Sequence, residues 1–362
     1  MGFTESERLM YARLIIVLVL TAAVLYLLLW PVPIDPAAWD PPAAPALEGI
    51  YEPNHALAEF EPIGGEIGTK PETIVVDADD RIYGGTEEGI IWRTPPGGAM
   101  TEAWANTAGR PLGMAFDADG NLIVVDSFRG VISVDPEGEV TVLSTESDGL
   151  PYKFADDLDI ADDGTIYFSD ASWKFGQFQY IHDIIEHRGN GRLLAYDPDT
   201  GETTTLLDDL YFANGVAVGH DQRYVLVVET SKYRVMRYWL DGSRAGAAEV
   251  FIDNLPGFPD NISRGTDGIY WLAIASPRDP VLDFTLPRPF LRKVIMRLPE
   301  FLRPSIQRYG MVLGINTDAE VVYNLQDPDG GYAPITSATE FDGWLYFGSI
   351  LEQGAARMRR PE

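Results

Sequence analysis

Glu72, Asp156, Asn214 and Asp260 each stand seven positions before a turn aspartate, at Asp79, Asp163, Asp221 and Asp267 respectively. Side chains of this kind in one register offer carboxylate and amide oxygens to a common point. Carboxylates drawn together away from water repel, and either take up protons or share a cation. An Asp/Glu/Asn set without histidine or cysteine suits a hard ion, Ca²⁺ rather than zinc. A bound Ca²⁺ with an open position acts as a Lewis acid on a carbonyl or phosphoryl oxygen. A carboxylate beside it can orient or deprotonate a water, or attack directly. Asp260 is the first choice for that role and Asp156 the second, with Asp157 and Asn261, one step further along, as supporting contacts. Taken singly, each residue is equally an ordinary strand cap; only the shared register argues for a site.

The register comes from a repeat. The segments TIVVDADDRIYGGT, GMAFDADGNLIVVDS, LDIADDGTIYFSDAS, VAVGHDQRYVLVVET, ISRGTDGIYWLAIAS and ATEFDGWLYFGSI each alternate apolar residues around a tight acidic or glycine turn. That is the pattern of a strand, a hairpin turn and a second strand. The turn aspartates fall at 79, 119, 163, 221, 267 and 342, with insertions at 171–190 and 276–310 lengthening two of the intervals. A period of about 40–50 residues with four strands per unit predicts an all-β, six-bladed β-propeller, here over residues 56–362, rather than an open sandwich. In a propeller, matched positions at the start of the innermost strands face the axis. The matched positions in the second and sixth units are Leu112 and Ile335, so four of six place an oxygen there.

Residues 1–30 predict a cytoplasmic tip and a transmembrane signal anchor. Leu14–Trp30 is an uncharged apolar run of 17 residues, enough to span a bilayer core of roughly 30 Å. Pro31 follows at once, and the nearest A-x-A, Ala44-Pro45-Ala46, lies too far downstream for signal cleavage. Arg8 and Arg13 precede the span and acidic residues follow it, which predicts a cytoplasmic N-terminus and an extracytoplasmic propeller. Residues 31–55, rich in proline and alanine, read as a stiff spacer.

Composition narrows the partners. With 27 basic and 55 acidic residues the net charge is −28, which repels phosphate backbones and argues against nucleic acid. There is no cysteine, hence no disulfide, thiolate metal site or cysteine nucleophile. No G-x-S-x-G elbow is present, and the histidines are His55, His182, His187 and His220. His182 and His187 fall in the 171–190 insertion, read as following the third blade, where they serve as solvated lid residues or in proton transfer, a role open to Glu340 as well. The 276–310 insertion reverses the acidic trend, with seven basic residues against three acidic ones and apolar residues at helical spacing from Phe290 to Leu302. Residues 284–306 therefore read either as an amphipathic segment resting on anionic lipid or as one packed on the propeller.

The run from Gly191 to Gly242, the segment GFPDNISRGTDGIYWLAIASPR and the segment EFDGWLYFGS resemble the strictosidine synthase-like family, in particular its adipocyte plasma membrane-associated branch. The resemblance covers about residues 60–352 and extends into LDFTLPRPFLRKVIMRLPEFLRP. The wider superfamily, with gluconolactonase and paraoxonase, consists of six-bladed calcium-dependent hydrolases. The resemblance implies one axial Ca²⁺ held by Glu72, Asn214 and Asp260, and hydrolysis of a small lactone or aryl ester. Asp156 departs from the asparagine common in relatives. Two alternatives stand beside this expectation. One is a non-catalytic ligand-binding propeller with a structural calcium. The other is amine–aldehyde condensation of the strictosidine synthase type, for which Glu340 is the matching glutamate.

Overall fold

A computed structural model describes residues 4–64, 68–96 and 100–362. Its body is six antiparallel four-stranded sheets arranged as the blades of a propeller. The innermost strands are Ile74–Val76, Pro111–Phe116, Ala155–Ile160, Ala213–Val218, Gly257–Arg264 and Ser337–Phe341, and each touches the next around a closed ring. Blade six is completed by a strand from before blade one: Glu61–Ile63 pairs with Ala355–Arg359, Glu61 opposite Arg357 and Ile63 opposite Ala355. That pairing adds the outermost strand of blade six and ties the two ends of the ring together.

Local chemistry explains the hairpins. Asp77 accepts hydrogen bonds at Oδ1 from the backbone N–H groups of Asp79 (3.0 Å) and Arg81 (2.9 Å), and Asp117 does the same for Asp119 and Asn121. At Asp267–Gly268 and Asp342–Gly343 both residues take positive φ, the tight hairpin geometry that Asp-Gly sequences favour. Between blades, β-branched and aromatic side chains from facing sheets interlock. Trp92, Trp271, Tyr270, Phe168 and Phe347 are fully buried there, each contributing apolar burial worth roughly 25 cal/mol per Å².

The innermost strands are not regular. In blades two to five the ladder with the second strand skips two residues at one place: 112–113, 156–157, 214–215 and 260–261. A bulge of this kind frees a residue from pairing and re-aims its side chain. The four bulges coincide with the matched axial positions.

Both insertions join the second and third strands of their blades. The 171–190 insertion therefore lies within blade three, not after it, and carries helix α2 (Tyr180–Glu186). The other lies within blade five and carries α3 (Pro280–Thr285) and α4 (Pro289–Arg297). Numbering in chain order, α1 is the 25-residue apolar helix Glu5–Leu29, capped by Thr4 and long and apolar enough to cross a membrane. Because strand two ends beside the start of strand one, both insertions sit on the face where the axial residues begin. The Pro/Ala-rich stretch lies along this face: Ile34 is buried among Phe175, Ile185, Ile295 and Met296, and the Ala37 and Trp39 N–H groups donate to the carbonyls of Glu186 and Leu286.

Blades approach so closely at the hub that Gly215 has no room for a side chain. A Cβ there would lie 2.4 Å from the Ile262 nitrogen and 2.6 Å from the Asp260 oxygen. Backbone cannot yield as a flexible side chain does, so Gly215→Ala is expected to destabilise the fold by about 3 kcal/mol, at the upper end of overpacking costs. Urea denaturation checks this, with Gly120→Ala, which meets no neighbour within 4 Å but has a positive φ, as the control for backbone strain alone.

Candidate metal centre and active site

The bulges turn Asp156, Asn214 and Asp260 inward, and Glu72, just before the inner strand of blade one, joins them in one enclosed cluster at the hub; none is more than 7% exposed. Asp156 feels the charges of both Glu72 and Asp260, Asp260 feels that of Glu72, and the Asn214 amide hydrogen-bonds to Asp260. Among the described residues, Glu72 Oε2, both oxygens of Asp156, Asn214 Oδ1, Asp260 Oδ1 and Asn261 Oδ1 are buried without a hydrogen-bond partner. Leu112, at the matched position of blade two, brings no oxygen and packs with Phe154 and Phe212. Ile335, at that of blade six, belongs to the hydrophobic core.

Buried polar atoms are almost always paired, so a cluster of six orphaned oxygens calls for an occupant. The set is all-oxygen and mostly anionic, which fits a hard cation such as Ca²⁺. Its oxygens are also not crowded. The only trio of Asp, Glu or His ligand atoms mutually within 4.8 Å among the described residues is His55, Asp327 and Asp329, at the surface. The hub carboxylates Glu72, Asp156 and Asp260 therefore do not all offer oxygens within 4.8 Å of one another.

Supporting residues hold the cluster from below. Asp157 Oδ2 accepts from the Val216 N–H (2.9 Å) and Asp159 Oδ2 from the Val218 N–H (2.8 Å), tying blade three to blade four. Asn261 Nδ2 donates to Thr73 Oγ1 (3.1 Å), and Thr336 Oγ1 donates to the Glu72 carbonyl (3.0 Å), tying blades five and six to the segment before blade one's inner strand. A cavity of about 270 Å³ continues down the axis past Thr73, Asp157 and Asn261 to Arg264 and Glu340.

Burial sets the electrostatics. It raises Glu72 to about 7, against the attraction of the Arg110 guanidinium. It pushes Asp156 well above the carboxylate range, helped by the charges of Glu72 and Asp260, and does the same to Asp157. Asp260 is raised by burial and by Glu72, with the Asn214 amide opposing. Arg110 itself is 1% exposed; its Nη2 donates to the Lys70 carbonyl, while Nε and Nη1 are unpartnered among the described residues. Nothing in the sequence marked Arg110, since a lone arginine two residues before an apolar axial position carries no pattern.

Above the cluster, α2 forms a lid. Tyr180 and Ile184 pack on Leu112, Phe154 and Phe212, so an apolar wall adjoins the carboxylates. Ser172 Oγ and Asn190 Nδ2 donate to Asp183 Oδ2, and Lys174 pairs with Glu186 at 2.6 Å, fixing the lid's inner side. His182 lies on this lid against Phe175, its pKa lowered by burial first and by Arg303 second. His187 is buried rather than solvated: it stacks on Trp39 at 4.6 Å, its Nε2 meets the Ser231 carbonyl, and burial pushes it down to about 3. Glu340 is not part of the lid. It sits beside the hairpin at the opposite end of its strand, accepting from Trp271 Nε1 (2.6 Å) and Thr266, because those donors converge there.

Comparison with known proteins agrees with this architecture. Residues 156–243 match the strictosidine synthase family model, and residues 49–94 the model for the N-terminal part of strictosidine synthase-like proteins. The chain is 35% identical over 349 residues to adipocyte plasma membrane-associated protein of Rattus norvegicus, covering 90% of this chain and 93% of the relative. It is 36% identical over 308 residues to strictosidine synthase-like protein 4 of Arabidopsis thaliana, covering 83% and 81%. A gluconolactonase from Xanthomonas campestris superposes with a TM-score of 0.61 at 16% identity, covering 92% of this chain and 99% of the other. The calcium-binding protein regucalcin from Agrobacterium tumefaciens does so at 0.57 and 17%, covering 83% and 93%. These two share the fold. The apolar helix α1 and the membrane-associated relatives together point to a membrane anchor.

Raised carboxylates make the metal-free fold sensitive to pH. Glu72, Asp156 and Asp260 hold protons more tightly folded than unfolded, so their stabilising protonation is complete below the unfolded values near 4 and is lost as pH rises through the folded ones, about 7 for Glu72. In chelator, the melting temperature is expected to fall between about pH 4.5 and 7.5. Asp156→Asn, which removes one buried charge, is expected to raise stability at the upper end by about 1–3 kcal/mol. Thermal scans in EDTA across that range check both. The sequence segments, the enclosed cluster and the relatives agree: the chain belongs to the strictosidine synthase-like family of six-bladed propellers.

Proposed function

We propose that the chain is a membrane-anchored, calcium-dependent hydrolase of small lactones or aryl esters. The observation that carries this reading is the set of buried, unpartnered oxygens on Glu72, Asp156, Asn214 and Asp260 at the hub. These four would hold one Ca²⁺, with Asn261 and Asp157 behind them. When bound, the ion supplies Lewis-acid polarisation of the substrate carbonyl.

The remaining work falls to this chain's own groups. Asp260, with Oδ1 unpartnered and its carboxyl bonded by the Asn214 amide, takes the proton of the attacking water or adds to the acyl carbon itself. Asp156 stands second for the same role, and its carboxylate, where relatives carry an amide, adds negative charge that tightens cation binding. The wall of Leu112, Phe154, Phe212, Tyr180 and Ile184 receives the apolar part of the substrate and keeps bulk water from the reacting carbonyl. His182 on the lid is the candidate for proton transfer to a leaving group. The gluconolactonase and regucalcin folds support this reading, and Arg8 and Arg13 before α1 support a cytoplasmic N-terminus with the propeller outside.

Hydrolysis of phenyl acetate and of γ- and δ-lactones by the purified chain is expected to cease in EDTA and to return with Ca²⁺. Asp260→Asn is expected to lower kcat by about 10²–10⁴-fold, the usual loss for a general base, while calcium is still detected by isothermal titration. Asp156→Asn is expected to weaken calcium binding and keep turnover. Calcium bound by the wild-type chain without turnover across that panel would overturn the hydrolase reading and leave a ligand-binding propeller.

A further inference from the structure

The lid insertion of blade five turns one face inward and another outward. Inward, Ile295 and Met296 of α4 pack on Ile34, Phe175 and Ile185, and the buried Arg292 donates to the carbonyls of Ile185, Glu186 and Leu286. Outward, a crest of large apolar side chains is left uncovered by the described residues. Val281, Phe284, Phe290 and Leu302 are each more than half exposed, and Phe301 is 83% exposed. Monomeric soluble surfaces rarely show so many large apolar side chains together, and such patches mark a partner or a membrane.

The position of α1 identifies which. Helix α1 touches α4, and Arg297 at the end of α4 donates from Nε to the Trp30 carbonyl (2.6 Å) and from Nη1 to the Leu27 carbonyl (2.9 Å). The last carbonyls of a helix have no partners within it, and here an arginine from the lid supplies them. A 25-residue helix is about 37 Å long, against a hydrocarbon core of roughly 30 Å, so a spanning α1 ends at the lipid–water interface. Arg297 is held at that depth. Phe290 lies seven residues, about 10 Å, back along α4. Basic charge accompanies the crest: Arg288 is exposed with its guanidinium over the Phe284 ring (4.0 Å), and Lys293 and Arg303 flank it. Exposed aromatics with basic neighbours on a helix of low overall hydrophobicity are the composition of an interfacial element.

We propose that this outer crest beds into the bilayer interface beside the anchor, so that the lidded mouth of the hub faces the membrane. The propeller then stands with its axis toward the lipid and its Asp-turn hairpins away from it. Ordered from the bilayer inward come the crest, α4, α2 and the apolar wall beside the carboxylates. A further consequence, which rests on the hydrolase reading, is that the substrate class is an apolar ester or lactone drawn from the lipid phase.

The chain's lack of cysteine makes a single introduced thiol a unique label site. Full-length Phe290→Cys and Phe301→Cys proteins, spin-labelled and reconstituted in mixed phosphatidylcholine–phosphatidylglycerol vesicles, would be compared with Asp119→Cys in a hairpin on the opposite face. Power saturation at 290 and 301 is expected to show higher collision rates with oxygen than with a water-soluble nickel chelate, and the reverse ratio at 119. Equal nickel access at all three sites would overturn the proposal. So would exclusion of both reagents at 290 and 301, which would mean a protein partner or a second copy covers the crest. The readout needs no substrate, so it stands or falls apart from hydrolysis.

Discussion

Three carboxylates and an amide are held together in a dry hub, and most of the surrounding structure answers to that constraint. Groups of like charge at low dielectric separate or neutralise unless something prevents it. Here bulges aim Asp156, Asn214 and Asp260 inward toward Glu72, the blades lock against one another through Asp157, Asp159, Asn261 and Thr336, and Gly215 lets adjacent backbones close to contact distance. Such an arrangement is destabilising by itself and becomes stabilising with a cation. On the proposed reading, the stability of the hub and its chemistry depend on the same ion.

The lid answers to a second requirement, an apolar approach to a charged centre. Tyr180 and Ile184 reach down to Leu112, and the two hub positions without oxygens, Leu112 and Ile335, are as much a part of the design as the four with them. On the proposed hydrolase reading, a ring of six oxygen ligands would leave no apolar side on which an ester's hydrocarbon could rest. Arg292 and Arg297 work differently: Arg292 collects backbone carbonyls from both insertions and from Ala37, and Arg297 collects two at the end of α1, so they reinforce the small core of Ile34, Phe175, Ile185, Ile295 and Met296 and join the anchor to it.

The propeller was legible in the sequence because hairpins impose period-two alternation and Asp-Gly turns at a near-constant interval. The axial register was legible for the same reason: equal distance from a turn means equal height on the axis. The bulges were not, since a skipped pair leaves no mark in the pattern of residue types. Arg110 beside Glu72 was missed because a single buried cation has no period. The docking of residues 31–45 was missed because it depends on backbone carbonyls of prolines and alanines meeting arginines far along the chain, as when Arg278 Nη2 donates to the Pro42 carbonyl. His187 was read as solvated because its burial comes from Trp39, which belongs to that same stretch.

The pairing of Glu61–Ile63 with Ala355–Arg359 has a consequence for biogenesis. The ribosome makes Glu61–Ile63 long before the strand that receives it. Until then the nascent chain is a tethered, open arc whose first and sixth blades have not met, and Glu72 cannot take its place opposite Asp260. On the proposed reading, ion capture thereby waits until the circle shuts.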